Sequence, residues 1–143
     1  MDSAAEFTVI TDLARIDLDT VHEWLSTDAF WALGRSRHTV QAAAEGSMNF
    51  GVFDSVGALC AYARVVTDKA TFAWLCDVYV DPCRRGLGIG RLLADAVVDA
   101  LAPMNLKRVM LSTLDAHGLY EQVGFVPFPE PEKLMILRHS GRS

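Results

Sequence analysis

Residues 72–101 are FAWLCDVYVDPCRRGLGIGRLLADAVVDAL, and the other elements of the chain can be placed around them. The first nine residues, 72–80, are mostly aromatic or β-branched, which is typical of a buried strand. Pro82 ends that strand because proline has no N–H to donate to a neighbouring strand. From Ile89 up to Pro103, apolar residues recur at helical spacing and charged residues occupy the opposite face. The stretch therefore predicts a strand, a glycine-rich loop and a helix in direct succession.

The loop carries glycine at alternate positions, Gly86, Gly88 and Gly90, where the strand gives way to the helix. Glycines leave successive backbone N–H groups unobstructed at the positive end of the helix dipole, which favours a phosphate site. The alternative is a tight glycine turn with solvated arginines. Neither the dinucleotide fingerprint nor the P-loop fits, because Arg91 stands where the third glycine would be and no Gly-Lys-Ser/Thr follows.

Two motifs resemble a known family. The pattern Arg85-x-x-Gly88-x-Gly90, after a strand and at the start of a helix, resembles the acetyl-CoA signature of the GNAT superfamily of N-acetyltransferases. Residues 116–125, AHGLYEQVGF, resemble the A-x-x-L-Y-E-x-x-G-F segment of the same superfamily. The resemblance implies one α/β domain over residues 1–143, with a mixed, mostly antiparallel sheet, a central parallel strand pair and helices on both faces.

The resemblance also implies an acetyl-CoA site. The pantetheine arm would enter where strand 72–80 diverges from the next parallel strand, 107–113, and would pair with the backbone of Val78 and Val80. The phosphates would lie on the amides of residues 85–91. The implied cofactor-binding set is Val78, Tyr79, Val80, Arg85, Gly86, Leu87, Gly88, Ile89, Gly90, Arg91, Thr113 and Tyr120.

Thr113 departs from the family pattern, since many members have an asparagine there that contacts the cofactor. That contact is either lost in this chain or made by the threonine hydroxyl.

Tyr120 and Asp77 are the candidate catalytic residues. Tyr120 matches the family tyrosine that can protonate the leaving thiolate, with packing as the alternative role. An alkylamine has a pKa of about 10.4, so some group must accept its proton, and Asp77 is the candidate, directly or through a water. Its alternative role is a carboxylate in a salt bridge. The amide of Val78 would hold the oxyanion, and no cysteine stands as a nucleophile, which favours direct attack in a ternary complex.

The acceptor is predicted to contact Trp31, Arg35 and His117. In the family, the first helix pair and its connection form one wall of the acceptor cleft, and Trp31 and Arg35 lie in that connection. The alternative is that Trp31 closes the core and Arg35 is solvated. His117 has a pKa suited to a base or an acceptor contact, or it is solvated. A small amine, amino acid, antibiotic, protein lysine or protein N-terminus all remain open.

Charge and composition restrict the partners. The chain has 143 residues, 51% hydrophobic and 22% charged, which indicates a globular domain. Its net charge of −5 argues against nucleic acid and mildly favours a cationic acceptor. The local cluster of Arg84, Arg85 and Arg91 fits a small polyanion such as the phosphates of CoA.

Location and metal content follow from what the sequence lacks. It has no apolar run that could span a membrane, and its acidic residues 1–6 do not resemble a signal peptide, so we expect a cytoplasmic protein. Its three cysteines have no Cys-x-x-Cys spacing, which predicts neither a disulfide framework nor a metal site. Whether the chain forms a homodimer is left open.

The remaining elements follow from periodicity and turn residues. A helix capped by Asp17 or Asp19 precedes a second short helix, and Asp115 is predicted to cap the last one. The strands before 72–80 are expected to form an antiparallel meander with it. The predicted strands are 6–11, 48–53, 58–66, 107–113, 125–128 and 133–138, and the predicted short helices are 39–45 and 116–123.

Two rival functions remain. A non-catalytic acyl-CoA-binding module would keep the glycine loop while Asp77 and Tyr120 became dispensable, and the presence of Tyr120 in register argues against it. A longer acyl donor than acetyl is compatible with every motif.

Overall fold

The structure is a computed structural model that describes residues 6–139. Its strands are β1 (Thr8–Ile10), β2 (Met48–Phe53), β3 (Leu59–Thr67), β4 (Phe72–Val80) and β5 (Arg108–Leu111). They form one sheet in the order β1-β2-β3-β4-β5. Neighbouring strands are antiparallel except β4 and β5, which are parallel. The predicted mixed, mostly antiparallel sheet is therefore confirmed.

The helices are α1 (Leu18–Asp28), α2 (Arg37–Glu45), α3 (Ile89–Leu101) and α4 (His117–Gln122). The carboxylate of Asp17 accepts hydrogen bonds from the amides at the start of α1, as predicted. Ser36 caps α2 in the same way. By contrast, the N-cap of α3 is Gly88, which has no side chain with which to cap the helix. The first N–H groups of α3 are consequently left for other partners.

Helices cover both faces of the sheet, as expected. The buried side chains of α3, such as Leu93 and Val97, pack with Phe50 and Val65 against one face. The buried side chains of α1 and α2 cover the other face, where they meet Tyr62. Each face of the sheet thus has its own apolar core, and a side chain on β4 can point into either one.

A β-bulge in β4 changes the direction of its side chains. Asp77 and Val78 lie opposite the single residue Ala63 of β3, because the register shifts between Tyr62 and Arg64. Asp77 has a φ of 53°, in the left-handed region that residues other than glycine rarely adopt. Val78 packs with the α3 core, whereas the Asp77 carboxylate meets residues before α2 on the other face. Bulges of this kind are frequent beside active sites.

The parallel strands β4 and β5 separate at one end. Their pairing begins at Phe72–Arg108 and ends at Leu75–Leu111. Residues 76–80 of β4 have no strand partner on that side within the described part of the chain. The pairing of the two strands therefore ends before Val80 and Thr113, the residues between which the sequence predicts the opening.

The two last predicted strands, 125–128 and 133–138, are wrong: neither range forms a strand. Pro127, Pro129 and Pro131 explain part of the failure, because each lacks the N–H that a strand ladder needs. As a result, β5 is an edge strand, and the parallel pair lies at one edge of the sheet rather than at its centre. A groove of about 1190 Å³ lies between β5 and the chain that follows α4.

The predicted cap of α4 is also wrong. The helix begins after Ala116 and has no capping hydrogen bond from Asp115. Instead, the hydroxyl of Thr113 accepts a hydrogen bond from the Ala116 amide at 3.0 Å. Asp115 lies one residue before the N-cap position, Ala116, and is too far along the chain to cap the first free N–H groups of the helix.

Within residues 6–139, no helix is both long and apolar enough to cross a bilayer.

Candidate active site

The glycine loop before α3 faces open space. Gly86 and Gly88 have φ values of 83° and 82°, which L side chains rarely adopt. A Cβ atom added at either position would meet no atom within 4 Å. At Gly90 an added Cβ would only touch the side chain of Leu119, at 3.5 Å. The amides at the start of α3 can therefore be approached closely by a ligand.

The arginines of this loop are already paired with carboxylates. Arg85 also donates from Nε to the carbonyl of Val80 at 3.1 Å. A bound polyanion would have to share these side chains, so backbone amides are the phosphate donors that remain free of acidic partners. The ion pairs are Arg84–Asp54 at 2.6 Å, Arg85–Asp28 at 3.4 Å and Arg91–Asp95 at 3.1 Å.

Tyr79 belongs to the other face of the sheet. Its ring stacks on Trp24, with 5.4 Å between centroids, and its hydroxyl donates to Asp28 at 2.6 Å. Burial and this hydrogen bond raise the pKa of Tyr79 to about 12. Because its side chain is engaged on that face, Tyr79 can contact a cofactor on the α3 side only through its backbone.

Tyr120 lies beside the diverging end of β4. Its ring is buried against Phe125, with 5.8 Å between centroids, and it packs in the same apolar core as Val78. The hydrogen bonds found in residues 6–139 do not include the hydroxyl of Tyr120. Burial raises the pKa of this phenol, so it is protonated at neutral pH. The side chain of Tyr120 packs in the core and carries its proton near the part of β4 that has no partner in β5.

Thr113, His117 and Tyr120 all line the groove along β5, which no residue of the 85–91 loop lines. The Thr113 hydroxyl is engaged at the start of α4. His117 is exposed at the first position of that helix. The large groove is therefore separate from the glycine loop, and His117 is the predicted acceptor contact that lies apart from the others.

On the opposite face of the sheet, two predicted acceptor contacts, Trp31 and Arg35, meet the carboxylate of the predicted base, Asp77. Trp31 donates from Nε1 to Oδ1 of Asp77 at 2.9 Å, and Arg35 donates from Nη1 to Oδ2 at 2.8 Å. A second arginine, Arg64 of β3, donates from Nε to the same Oδ2 at 2.9 Å. We call Trp31, Arg35, Arg64 and Asp77 the arginine–aspartate cluster. Its ion pairs are buried, with side-chain exposures of 3% for Asp77, 10% for Arg35 and 15% for Arg64.

The cluster fixes the charge of Asp77. Burial alone would raise the pKa of Asp77, but the guanidinium groups of Arg64 and Arg35 and the Trp31 hydrogen bond bring it below its usual value. The carboxylate is ionised at neutral pH and is a weak base. This geometry matches the salt-bridge alternative for Asp77, whereas Arg35 is paired and buried rather than solvated.

Arg64 is the functional candidate that sequence reasoning missed. It stands in the otherwise apolar strand β3, between Ala63 and Val65, which are fully buried on the α3 side. Its Nη1 also donates to the hydroxyl of Ser47 at 3.2 Å. The available signal was a charged residue inside an apolar strand, since a buried charge requires a partner.

Replacement of Asp77 by asparagine is expected to lower the free energy of unfolding at pH 7 by about 3–5 kcal/mol, because two buried arginines lose their counter-charge. The folded-state pKa of Asp77 is below its unfolded value of about 3.9, so its stabilisation is present above that pH and lost as the pH falls through the folded pKa. Urea unfolding should show that the native protein and Asp77→Asn differ less in free energy of unfolding at pH 3 than at pH 7.

Asp99→Asn is the matched control, since Asp99 is exposed on α3, and its effect should stay within about 0.5 kcal/mol. If Asp77→Asn lowers the free energy of unfolding at pH 7 by no more than the control does, the buried ion pairs are contradicted.

Comparison with known proteins agrees with both motifs. The profile of the Acetyltransferase (GNAT) family matches residues 18–125. A Gibberella zeae protein described as a "putative acetyltransferase" is 30% identical over 134 residues, which cover 80% of this chain and 76% of that protein.

Solved structures agree in fold. A GNAT-family structure from Xanthomonas campestris is 41% identical and superposes with a TM-score of 0.88 over 94% of each chain. The ribosomal-protein-S18-alanine N-acetyltransferase of Escherichia coli is 25% identical, with a TM-score of 0.67 over 82% of this chain and 76% of that one. The match spans the glycine loop, the bulged strand and Tyr120, and the chain therefore belongs to the GNAT family of acetyltransferases.

Proposed function

We propose that this protein transfers an acetyl group from acetyl-CoA to a primary amine by direct attack within a ternary complex. One observation carries the proposal: in the described part of the chain, β4 has no parallel partner beyond Leu75, next to a glycine loop that opens onto empty space, and Tyr120 packs near Val78 on the α3 side of the sheet. Family membership supports acyl transfer in general. The acetyl donor, the amine and the direct mechanism are the proposal.

The residues present fit acetyl-CoA. A side chain at Gly86 or Gly88 would occupy the space in front of the amides at the start of α3, and the sequence leaves it empty. Residues 76–80 of β4 present backbone groups without a strand partner, to which the pantetheine amides would add like a further strand. When bound, acetyl-CoA supplies an activated acetyl thioester. No group of three metal-binding side chains is found in residues 6–139.

Two groups of this chain would act at the thioester. The amide of Val78, in the bulge, would stabilise negative charge on the carbonyl oxygen. The hydroxyl of Tyr120 holds a proton for the departing sulfur, and its raised pKa keeps that proton in place at neutral pH.

The acceptor would approach from the face that carries the arginine–aspartate cluster. Asp77 already accepts three hydrogen bonds from Trp31, Arg35 and Arg64. Its low pKa makes it a poor acceptor for the proton of the amine. We therefore propose that Asp77 positions the two arginines, and that the amine loses its proton to water.

The first experiment is calorimetric titration of the native protein with acetyl-CoA, followed by measurement of free thiol released in the presence of mixed primary amines. We expect a Kd in the micromolar range and thiol release that depends on the amine. Butyryl-CoA in parallel tests the length of the acyl donor. Binding without amine-dependent release would favour the non-catalytic acyl-CoA-binding module, and absence of binding would overturn the proposal.

Cytoplasmic location stays a prediction, which cell fractionation can test, and light scattering would decide whether the chain forms a homodimer.

A further inference from the structure

The arginine–aspartate cluster has one carboxylate for two guanidinium groups. Arg35 and Arg64 both bind Oδ2 of Asp77, and these three side chains are at least 85% buried. The neighbouring Tyr62 and Cys76 supply no negative charge, because burial raises the pKa of the phenol and of the thiol. The described part of the cluster thus carries a net charge of +1 in a poorly hydrated position, where an unpaired charge is unfavourable.

Some hydrogen-bond donors of the cluster have no acceptor among residues 6–139. Nε of Arg35 is buried and has no acceptor among residues 6–139. The hydrogen bonds of the described residues engage only Nη1 of Arg35 and only Nε and Nη1 of Arg64. Buried polar groups are nearly always paired in native proteins, and an exception requires an explanation. An anion that binds here would supply both the missing charge and the missing acceptors.

The position of the cluster relates that anion to the acceptor. Asp77 directly precedes Val78, and consecutive Cα atoms are about 3.8 Å apart. Under the proposed function, the Val78 amide lies at the reacting carbonyl, so the attacking amine must come within a few ångströms of the cluster. Trp31 is 39% exposed and meets the more exposed Phe30 edge to face at 5.1 Å. Trp31 is therefore the one member of the cluster with substantial exposure, and an anion would reach the buried arginines beside these two aromatic rings.

We propose that the acceptor is an amino acid, whose carboxylate binds Arg35 and Arg64 while its amine faces the Val78 strand. This inference rests on the proposed function. Guanidinium groups bind carboxylates in a bidentate manner, and an amino acid places its carboxylate only two bonds from the amine. The net charge of the whole chain favours a cationic acceptor only weakly, since surface charges are screened over about 10 Å. The local +1 charge opposes a polyamine directly.

The test compares acids with their amides. A mixture of the twenty amino acids and a mixture of their primary amides are each incubated with native protein and acetyl-CoA, and acetylated products are measured by mass spectrometry. We expect kcat/KM for the best acid to exceed that of its amide at least about tenfold, the effect of one charge-assisted hydrogen bond. Equal turnover of acid and amide would overturn the inference and leave the acetyltransferase proposal standing.

Arg64→Gln identifies the residue responsible. It removes the excess charge and leaves Arg35 and Asp77 as a neutral pair, so we expect the acid-to-amide ratio to fall to about one, through a higher KM for the acid. Arg37→Gln is the matched control, since Arg37 pairs with the exposed Asp19 at 2.7 Å outside the cluster. Its ratio should equal that of the native protein, and a native ratio in Arg64→Gln would contradict the assignment.

A binding readout keeps the two proposals separable. If acetyl-CoA does not bind, the proposed function fails, and the melting temperature is then measured with the amino acid mixture and with the amide mixture. Stabilisation by the acids alone, lost in Arg64→Gln, supports the carboxylate site independently of turnover. Equal melting temperatures in the two mixtures would overturn it.

Discussion

Gly88→Glu is expected to weaken acetyl-CoA binding at least about 100-fold, because a like charge placed against a bound anion costs several kcal/mol. Gly88 stands at the start of α3 with a φ of 82° and open space in front of it. A glutamate there fills that space with bulk and directs a carboxylate to the point where helix amides would meet phosphate. Calorimetric titration with acetyl-CoA measures the loss.

Gly57→Glu is the matched control. Gly57 lies in the turn between β2 and β3 and has a φ of 86°, and a Cβ atom added there would also meet no atom within 4 Å. The same substitution there introduces the same charge and a similar backbone strain of about 1–2 kcal/mol, so its binding of acetyl-CoA should equal that of the native protein. Native affinity in Gly88→Glu would show that the phosphates do not lie at the start of α3.

The elements that the sequence predicts correctly depend on local rules. The strand 72–80, the glycine loop and the helix after it follow from residue type and spacing within one stretch, and the structure confirms β4 and α3. The strands predicted after Gly124 depend instead on pairing with a distant edge. Alternation of apolar residues cannot show whether a partner is reached, and the prolines in 125–133 remove donors that such pairing needs.

The candidate site divides in the same way. The sequence alone identifies Tyr120, because it belongs to a contiguous motif. The sequence predicts Trp31 and Arg35 as acceptor contacts and Asp77 as a base, for different reasons. Their contact depends on a bulge that turns Asp77 toward a loop more than 40 positions earlier in the chain. No spacing rule predicts such a bulge from one sequence. Arg64 is missed for a related reason: its partner, Asp77, can be identified only in the folded chain.

Tyr120→Phe is expected to lower kcat about 100-fold or more while the Kd for acetyl-CoA stays unchanged, since a positioned general acid contributes about 10²–10⁴-fold. The variant keeps the ring that packs on Phe125 and removes only the hydroxyl. That hydroxyl has no hydrogen-bond partner in residues 6–139, so its loss should change the free energy of unfolding little. Steady-state kinetics and urea unfolding measure the two effects.

Tyr62→Phe is the matched control on the opposite face. The hydroxyl of Tyr62 donates to the side chain of Asn49, and both residues are buried. Its removal should lower the free energy of unfolding by about 1–3 kcal/mol, because Asn49 loses its donor, and should leave kcat unchanged, because the hydroxyl lies on the opposite face of the sheet from Tyr120.

The two substitutions therefore separate packing from proton transfer. Native kcat in Tyr120→Phe would assign Tyr120 to packing alone. If the hydroxyl is the acid, its protonated form is the active one, and burial raises its pKa above the ordinary value of about 10. The native protein should then keep its kcat as the pH rises through 10, and lose it only where the buried phenol ionises. In Tyr120→Phe, that alkaline decline of kcat should be absent.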